Sequence, residues 1–462
     1  MIKNPYLIDI LGLTDTKRKP VVALYNPYTA EFIENFNNDE ISHFSKQKLA
    51  KFKKHYSIIE AGSRVTVNGV VFKPSTAEIY VELTEACNFN CPGCAVGVDR
   101  YQNGLTKSLE IEELKTILYK IFKSAKEKGI NEINIKWSGG EPMMPKPFSL
   151  ITNCQGYLQK LENELGLETR QRVLTNGSYL NIASLSKIDK GKFHFCVSLW
   201  GLEEDNTLAR NPKTPNGNFE NIKNGIRYLY ENDYSFNIHH VITPSNSVTL
   251  PLFLTTLWDI CDRTYIAKCW KGRKRPIPLS LSYLRPQTLR QSQYLAKQGY
   301  RSMLNGTLEA FKTIKYMIDR GVPIQALERL DYLNIYDVCP MTCGSGFNYI
   351  AVGPRGYASC HEGLFNMTDN LNTEMNIFDL VNKEYEKNTS FLYGFYKRFP
   401  GLDERTAIFL SLHGGSGCPR NMLIEEKGLT NIAGSVATEL YAHLYNHMLN
   451  LEYYRISKEL TN

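Results

Sequence analysis

The stretch EIYVELTEACNFNCPGC, residues 78–94, decides the fold of this chain, because a strand-like run leads directly into three cysteines. The first part alternates apolar and polar residues, which predicts a β-strand. Cys87, Cys91 and Cys94 follow with Cys-x3-Cys-x2-Cys spacing. Three thiolates can hold one corner of a four-iron cluster and leave its fourth iron without a protein ligand. The triplet favours such a site; the alternative, a closed zinc site, needs a fourth ligand, and the next turn or loop contains no cysteine or histidine.

Strand-like and helix-like patterns alternate downstream of the triplet. The strand-like segments are EIYVELT, NEINIKW, RQRVLTNG, FHFCVSLWG, FNIHHVIT and IPLSLSYL. Parallel neighbours need crossover-sized connections, so these segments predict a parallel sheet. The predicted fold class is α/β: a partial (β/α)6 barrel with a C-terminal auxiliary domain and a small N-terminal α+β extension. Ligands bind at the C-terminal strand ends of such folds, where the triplet, WSGGEP, TNGS and SLWG all fall.

Three regions are predicted along the 462 residues. Residues 1–77 form the N-terminal extension, where PVVALYNPYTAEFIENF predicts one or two strands and HFSKQKLAKFKKHYSII predicts an amphipathic helix. Residues 78–290 form the barrel. Residues 291–462 combine a helical stretch, a cysteine-bearing segment and a helical tail.

The composition excludes several classes of protein. Hydrophobic residues make up 42% and charged residues 22% of the chain, as in ordinary globular enzymes. No run of about 18 apolar residues is present, so we expect no membrane partner. The net charge of +7 is mild and the strongest basic run, KGRKRP at 271–276, is short, so we expect no nucleic-acid partner. Eleven cysteines without an export signal predict a cytoplasmic protein.

A glycine-rich turn, SGGEP at 138–142, follows the second predicted strand. Two glycines allow a backbone to approach a ligand closely. In combination with the cysteine triplet, about one β/α unit earlier, this turn resembles the radical SAM superfamily. The resemblance covers residues 78–290, with a second part at 339–420. It implies that the triplet binds a [4Fe–4S] cluster whose open iron is chelated by S-adenosylmethionine, which is cleaved to a 5′-deoxyadenosyl radical.

The same resemblance assigns residues to the S-adenosylmethionine site. The backbone of Gly139, Gly140 and Glu141 is expected to bind the methionyl amine. Ser198, in FCVSLWG, corresponds to a strand residue that meets the ribose or carboxylate, and Arg210 to an arginine that binds the carboxylate. A strand-end serine and a loop arginine can equally be structural.

The sequence differs from the family pattern at one position and agrees with it at another. The residue before the third cysteine is commonly aromatic in the family, but here it is Gly93. Phe89 is therefore a candidate for packing against the adenine. Residues 175–177, TNG, match a strand-end motif of the same family.

A second cysteine set lies in the C-terminal region. Its members are Cys339, Cys343, Cys360 and Cys418. The segment CPMTCGSGFNYIAVGPRGYASC predicts a β-hairpin turning at GPRG, and four thiolates would make a fully protein-ligated cluster. This set resembles the auxiliary cluster of SPASM and twitch domains, and too few cysteines remain for a second one. A tetrahedral zinc site is the alternative.

The remaining cysteines in helix-like, strand or loop contexts are expected to be small buried residues. They are Cys154, Cys196, Cys261 and Cys269.

The predicted function is a radical SAM oxidoreductase or maturase that modifies a peptide or protein side chain, by thioether formation, carbon–carbon crosslinking or oxidation. An external electron donor of the flavodoxin or ferredoxin type is expected. The alternatives are a radical SAM dehydrogenase acting on a small alcohol or sugar, and a zinc-stabilised binding protein. The N-terminal extension is either a leader-peptide recognition module that adds a peptide strand or a packing extension. The spacing of the Asp, Glu and Tyr residues does not identify a catalytic acid or base.

Overall fold

The computed structural model describes part of the chain. The described residues are 8–14, 20–26, 31–34, 66–67, 70–71, 75–91, 94, 106–213, 219–257, 279–284, 299–319, 348–358, 366–367 and 376–380.

The N-terminal region contains short antiparallel strands. They are β1 (Ile8–Thr14), β2 (Pro20–Asn26), β3 (Glu31–Glu34), β4 (Thr66–Val67) and β5 (Val70–Val71). β2 pairs with β1 and β3, while β4 pairs with β5. One or two strands were predicted around the NPYT turn and two are present, whereas β1 was not predicted. The helix expected over HFSKQKLAKFKKHYSII lies outside the described residues.

The six strand-like segments of the predicted barrel form one parallel sheet. They are β6 (Thr76–Glu82), β7 (Glu132–Ser138), β8 (Glu168–Thr175), β9 (Phe193–Ser198), β10 (Ser235–Ile242) and β11 (Leu279–Tyr283). Each strand pairs with the next along the chain, in the order β11-β10-β9-β8-β7-β6. The predicted α/β class with a partial barrel is confirmed.

Helices follow most of these strands along the chain. They are α1 (Ile111–Glu127), α2 (Pro145–Asn153), α3 (Gln155–Leu165), α4 (Ile182–Leu185), α5 (Glu203–Arg210), α6 (Phe219–Glu231) and α7 (Tyr300–Asp319), and residues 250–257 are also helical. α1 begins with a capping box, in which the Glu113 carboxylate accepts a 2.9 Å hydrogen bond from the backbone N–H of Glu110. Its buried residues recur at helical spacing, including Leu114, Leu118 and Ile121.

The two faces of the sheet differ in polarity. On β7, Ile133, Ile135 and Trp137 are buried against the helices, and the intervening residues point to the opposite face. That opposite face carries polar groups, among them an ion pair between Lys136 and Glu78. The core therefore combines the apolar face of the sheet with the buried residues of the helices, and the polar residues lie on the other face of the sheet.

A hairpin from the C-terminal region extends the same sheet. Its strands are β12 (Tyr349–Gly353), β13 (Gly356–Ala358) and β14 (Asn366–Met367). β12 and β13 form the hairpin predicted at GPRG, and Gly356 has the positive φ of +107° that a turn glycine provides. β12 also pairs in parallel with β6, a neighbour that the sequence did not predict. The predicted domain boundaries at 77/78 and 290/291 stay predictions.

Within the described ranges, no helix is both long and apolar enough to cross a membrane.

Replacing a core residue of α1 tests the packing of this helix on the sheet. Ile121 is fully buried, so Ile121→Ala should lower the free energy of unfolding by about 2–5 kcal/mol, measured by denaturant unfolding. Lys123→Ala, on the exposed side of the same helix, should change it by less than about 0.5 kcal/mol. Equal losses in the two variants would contradict the packing.

His240 predicts a pH dependence of stability. It is fully buried on β10, its Nδ1 lies 3.1 Å from the Leu199 carbonyl oxygen, and its ring lies against Phe253 with centroids 4.6 Å apart. Burial lowers its pKa from 6.5 to about 3. Between these two pKa values, His240 is protonated in the unfolded chain and neutral in the folded chain. The free energy of unfolding therefore falls as the pH falls through this interval.

The variant His240→Gln should remove this contribution, which is at most about 1.4 kcal/mol per pH unit. The measurement is the free energy of unfolding of both proteins between pH 7 and pH 4. An unchanged slope in the variant would show that His240 does not titrate as described.

Candidate functional site

The cysteine triplet lies in the loop that follows β6. Cys87, Cys91 and Cys94 are partly buried and none is in a disulfide. The backbone N–H of Phe89 lies 3.4 Å from the Cys87 sulfur, and the N–H of Cys94 donates to the Cys91 carbonyl oxygen at 3.2 Å. The Cys91 thiol donates to the carbonyl oxygen of Arg210 at 3.3 Å. The loop is thus folded on itself and held to the end of α5.

The surroundings of Cys87 disfavour an uncompensated thiolate. Burial raises the pKa of this thiol to about 12, and the nearby Glu141 carboxylate and the other two cysteines add to the effect. A thiolate here needs a positively charged partner, and metal centres provide one. Among the described residues, no three His, Cys, Asp or Glu side chains converge on a single-ion site. A cubane does not require such convergence, because each thiolate binds a separate iron.

The glycine pair after β7 packs against the cysteine-bearing loop. Gly139 has a φ of +120°, and a Cβ atom there would lie 2.3 Å from the carbonyl oxygen of Thr84. A Cβ on Gly140 would lie 1.9 Å from the carbonyl oxygen of Ala86. The N–H groups of Gly140 and Glu141 donate to these two oxygens at 2.6 and 3.0 Å, respectively. Only glycine therefore allows the two loops to meet this closely.

The Glu141 side chain connects β7 to the end of β8. Its carboxylate is fully buried and accepts hydrogen bonds from the Thr175 hydroxyl (2.7 Å), the Asn176 N–H (2.7 Å) and the Met143 N–H (2.8 Å). Burial raises the pKa of Glu141, while these hydrogen bonds and the charge of Arg210 oppose the shift. The sequence assigned only a backbone role to Glu141, but its side chain joins two of the motifs.

Asn176 continues this network into the cysteine loop. Its amide nitrogen donates to the Asn88 side-chain oxygen at 2.8 Å and lies 3.9 Å from the Cys87 sulfur. Asn88 in turn donates to the hydroxyl of Ser178 at 3.0 Å. Asn88 was missed by the sequence analysis, and its position between the first two cysteines is the signal that could have identified it.

Ser198 and Arg210 lie next to each other at the same end of the sheet. Arg210, at the end of α5, is only 4% exposed, and its Nη1 donates to the backbone carbonyl oxygen of Ser198 at the end of β9. The guanidinium lies over the ring of Phe89, 4.8 Å from its centroid, and 5.5 Å from the centroid of Trp200. Phe89 is itself buried, with 3% exposed.

Two buried donors in this corner have no hydrogen-bond partner among the described residues. They are Nε of Arg210 and Nε1 of Trp200. A buried donor without a partner costs free energy, and more so when it is charged. An anionic group placed here would satisfy them, so this corner fits a carboxylate. Trp200 was not predicted, since a tryptophan after a strand gives no local sign of an unpaired N–H.

The structure describes some of the remaining predicted residues and not others. Gly93, Cys261, Cys269 and the four cysteines Cys339, Cys343, Cys360 and Cys418 lie outside the described residues. Cys154 is buried, as predicted, and its thiol donates to the Ile151 carbonyl oxygen at 3.2 Å. Cys196, on β9, is only partly buried, because it lies on the polar face of the sheet; the prediction of burial was wrong for this residue.

Comparison with known proteins assigns a family to part of the chain. Residues 81–248 match the model of the radical SAM superfamily, so this segment is a radical SAM domain. Enzymes of this superfamily use a [4Fe–4S] cluster and S-adenosylmethionine, and these are the cofactors of the domain. The match confirms the resemblance predicted from the cysteine triplet and GGEP. No curated protein sequence matches the chain.

Solved structures with the same fold cover most of the chain. Native anSMEcpe with bound AdoMet and Cp18Cys peptide is similar with a TM-score of 0.53 and 15% sequence identity, over 83% of this chain and 99% of that one. Native anSMEcpe with bound AdoMet and Kp18Cys peptide gives a TM-score of 0.52 and 14% identity, over 84% and 98%, respectively. At these identities, the likeness shows the shared fold.

The loop contact at Gly140 can be tested with a single added methyl group. Gly140→Ala would place Cβ against the Ala86 carbonyl oxygen, so the free energy of unfolding should fall by about 1–3 kcal/mol or more. Reconstituted iron content should fall with it, because the contacted loop carries the triplet. Gly156→Ala is the control, since nothing lies within 4 Å of its Cβ position on α3. Equal behaviour of the two variants would contradict the contact.

Proposed function

We propose that this chain is a radical SAM enzyme that modifies a side chain of a peptide or protein. The observation that carries the proposal is the meeting of four motifs at one end of the sheet: the cysteine triplet, Gly139–Glu141, TNG and the Ser198–Arg210 corner. The peptide class is supported by the shared fold with anSMEcpe, whose structures contain bound peptides.

In this proposal, Cys87, Cys91 and Cys94 are the cluster ligands. When bound, the cluster and S-adenosylmethionine supply a 5′-deoxyadenosyl radical that removes a hydrogen atom from the substrate. The buried position of Cys87 suits a thiolate that is neutralised by iron and protected from water.

Gly139, Gly140 and Glu141 would bind the methionyl ammonium through backbone carbonyl oxygens. The N–H groups of Gly140 and Glu141 already donate to the cysteine loop, and an ammonium requires acceptors. The Glu141 side chain acts indirectly, because its three hydrogen bonds hold this backbone against the end of β8.

Arg210 would bind the carboxylate of S-adenosylmethionine, and Ser198 its ribose or its carboxylate. The backbone carbonyl of Ser198 orients the guanidinium, and the unpaired Nε of Arg210 supplies a charged donor. Because the site is buried, this charge attracts a carboxylate more strongly than it would in water.

An auxiliary [4Fe–4S] cluster bound by Cys339, Cys343, Cys360 and Cys418 completes the proposal. It would accept an electron or anchor the substrate, with an external flavodoxin- or ferredoxin-type protein as the donor of the first electron. Thioether formation, a carbon–carbon crosslink and oxidation are the modifications that such an arrangement serves.

The proposed activity is tested by anaerobic reconstitution and reduction with dithionite in the presence of S-adenosylmethionine. The expected product is 5′-deoxyadenosine, with about eight irons bound per chain. Cys91→Ala should abolish the product. Zinc in place of iron, or no 5′-deoxyadenosine from an iron-loaded protein, would contradict the proposal.

The peptide class is tested by co-expressing the enzyme with a peptide encoded beside its gene. Mass spectrometry should show a mass shift that is absent with the Cys91→Ala variant. If the peptide stays unmodified while a small alcohol or sugar is oxidised, the substrate class is wrong although the radical chemistry stands.

The role of Arg210 can be measured without turnover. Arg210→Gln should weaken binding of S-adenosylhomocysteine by about 10- to 100-fold, because a hydrogen bond to a charged group contributes about 1.5–3 kcal/mol. Calorimetry on the reconstituted protein gives the affinity. Glu204→Gln, an exposed change on the same helix, should leave it unchanged. Equal affinities for wild type and Arg210→Gln would exclude this role.

A further inference from the structure

A buried carboxylate lies two residues before the first cysteine of the triplet. Glu85 is 1% exposed, and its Oε2 accepts a 2.9 Å hydrogen bond from the backbone N–H of Lys107. Its own N–H donates to the Lys107 carbonyl oxygen at 2.9 Å. The Cα atoms of Glu85 and Cys87 can be at most about 7 Å apart, so the residue that carries this charge belongs to the loop of the triplet.

The compensating charge comes from the C-terminal hairpin. Arg355, in the turn between β12 and β13, pairs with Glu85 through two hydrogen bonds, from Nε to Oε1 and from Nη2 to Oε2, the latter 2.8 Å long. A bidentate guanidinium–carboxylate pair fixes orientation as well as charge. The two residues are separated by 270 positions in sequence, so the pair joins distant parts of the chain.

A second contact fastens the chain beyond the hairpin to the same β/α unit. The side chain of Asn376 donates to the Ser124 carbonyl oxygen on α1 at 2.9 Å, and the N–H of Ile377 donates to the Ser124 hydroxyl at 3.2 Å. Ile377 and Phe378 are buried. Asn376 is itself uncharged, which makes it a useful comparison.

The segment with Cys360 therefore lies between two anchors in the sequence. Arg355 precedes it and Asn376 follows it, and both contact the unit formed by β6, α1 and the loop with the triplet. The pair of Glu85 and Arg355 joins the two cysteine-bearing regions. It can therefore change the electrostatic potential at a cluster as well as fix the position of the hairpin.

We propose that Glu85 and Arg355 are a positioning pair that couples the seating of the hairpin to the reduction potential of the cluster bound by the triplet. The proposal rests on the proposed function, since it requires that cluster. Reducing a [4Fe–4S] cluster from the 2+ to the 1+ state adds one electron, here from a protein donor or dithionite. A carboxylate nearby opposes this addition, and the charge of Arg355 offsets that effect only while the hairpin is in place.

The variants predict shifts of opposite sign. Arg355→Gln removes the positive charge that pairs with the Glu85 carboxylate, so the midpoint potential should become more negative. Glu85→Gln removes the buried negative charge, so the potential should become less negative. The double variant should return towards the wild-type value, and Arg355→Lys should stay closer to it than Arg355→Gln, because the charge is retained.

The test is a redox titration of the full-length reconstituted protein followed by electron paramagnetic resonance. The cluster of the triplet is recognised as the signal that changes when S-adenosylmethionine is added. Asn376→Ala is the matched control, since it weakens the other anchor without changing a charge, and it should leave the midpoint potential unchanged.

The outcomes separate this inference from the proposed function. Opposite shifts with recovery in the double variant support it. Shifts of the same sign in both single variants, no shift in either, or an equal shift in Asn376→Ala would overturn it and leave the proposed function standing. A wild-type protein that forms no signal responsive to S-adenosylmethionine would overturn both.

Discussion

The close contact between two loops is the constraint on which the site depends. Gly140 and Glu141 donate their N–H groups to the carbonyl oxygens of Thr84 and Ala86, and a Cβ atom on Gly139 or Gly140 would collide with these oxygens. This contact ties the end of β7 to the loop that begins the cysteine triplet. The buried carboxylate of Glu141 then reaches the end of β8, and Asn176 returns to the cysteine loop through Asn88.

The electrostatics of the site follow from the same burial. Glu141 and Glu85 are carboxylates with almost no exposure, and Arg210 is a guanidinium with a donor left unpaired. Buried charges persist only when hydrogen bonds or opposite charges compensate them. Three hydrogen-bond donors compensate the Glu141 carboxylate, and Arg355 pairs with the Glu85 carboxylate. For the guanidinium of Arg210, a carboxylate ligand would supply the opposite charge.

Much of the barrel could be predicted because its signals are local. Alternating apolar residues marked the six parallel strands, and the glycines and cysteines marked their C-terminal ends. The pairing of β12 with β6 could not be predicted, because the hairpin is visible locally but its neighbour in the sheet is not. The side-chain role of Glu141 and the unpaired N–H of Trp200 were missed for the same reason, since both depend on groups brought together by folding.

The central claim is that the triplet binds a cluster whose open iron takes S-adenosylmethionine. The most direct measurement is the electron paramagnetic resonance spectrum of the reduced protein in which Cys339, Cys343, Cys360 and Cys418 are all replaced by alanine. One [4Fe–4S]¹⁺ signal should remain, and its g-values should change when S-adenosylmethionine is added. A spectrum that stays the same after the addition, or a protein without any remaining cluster signal, would contradict the account.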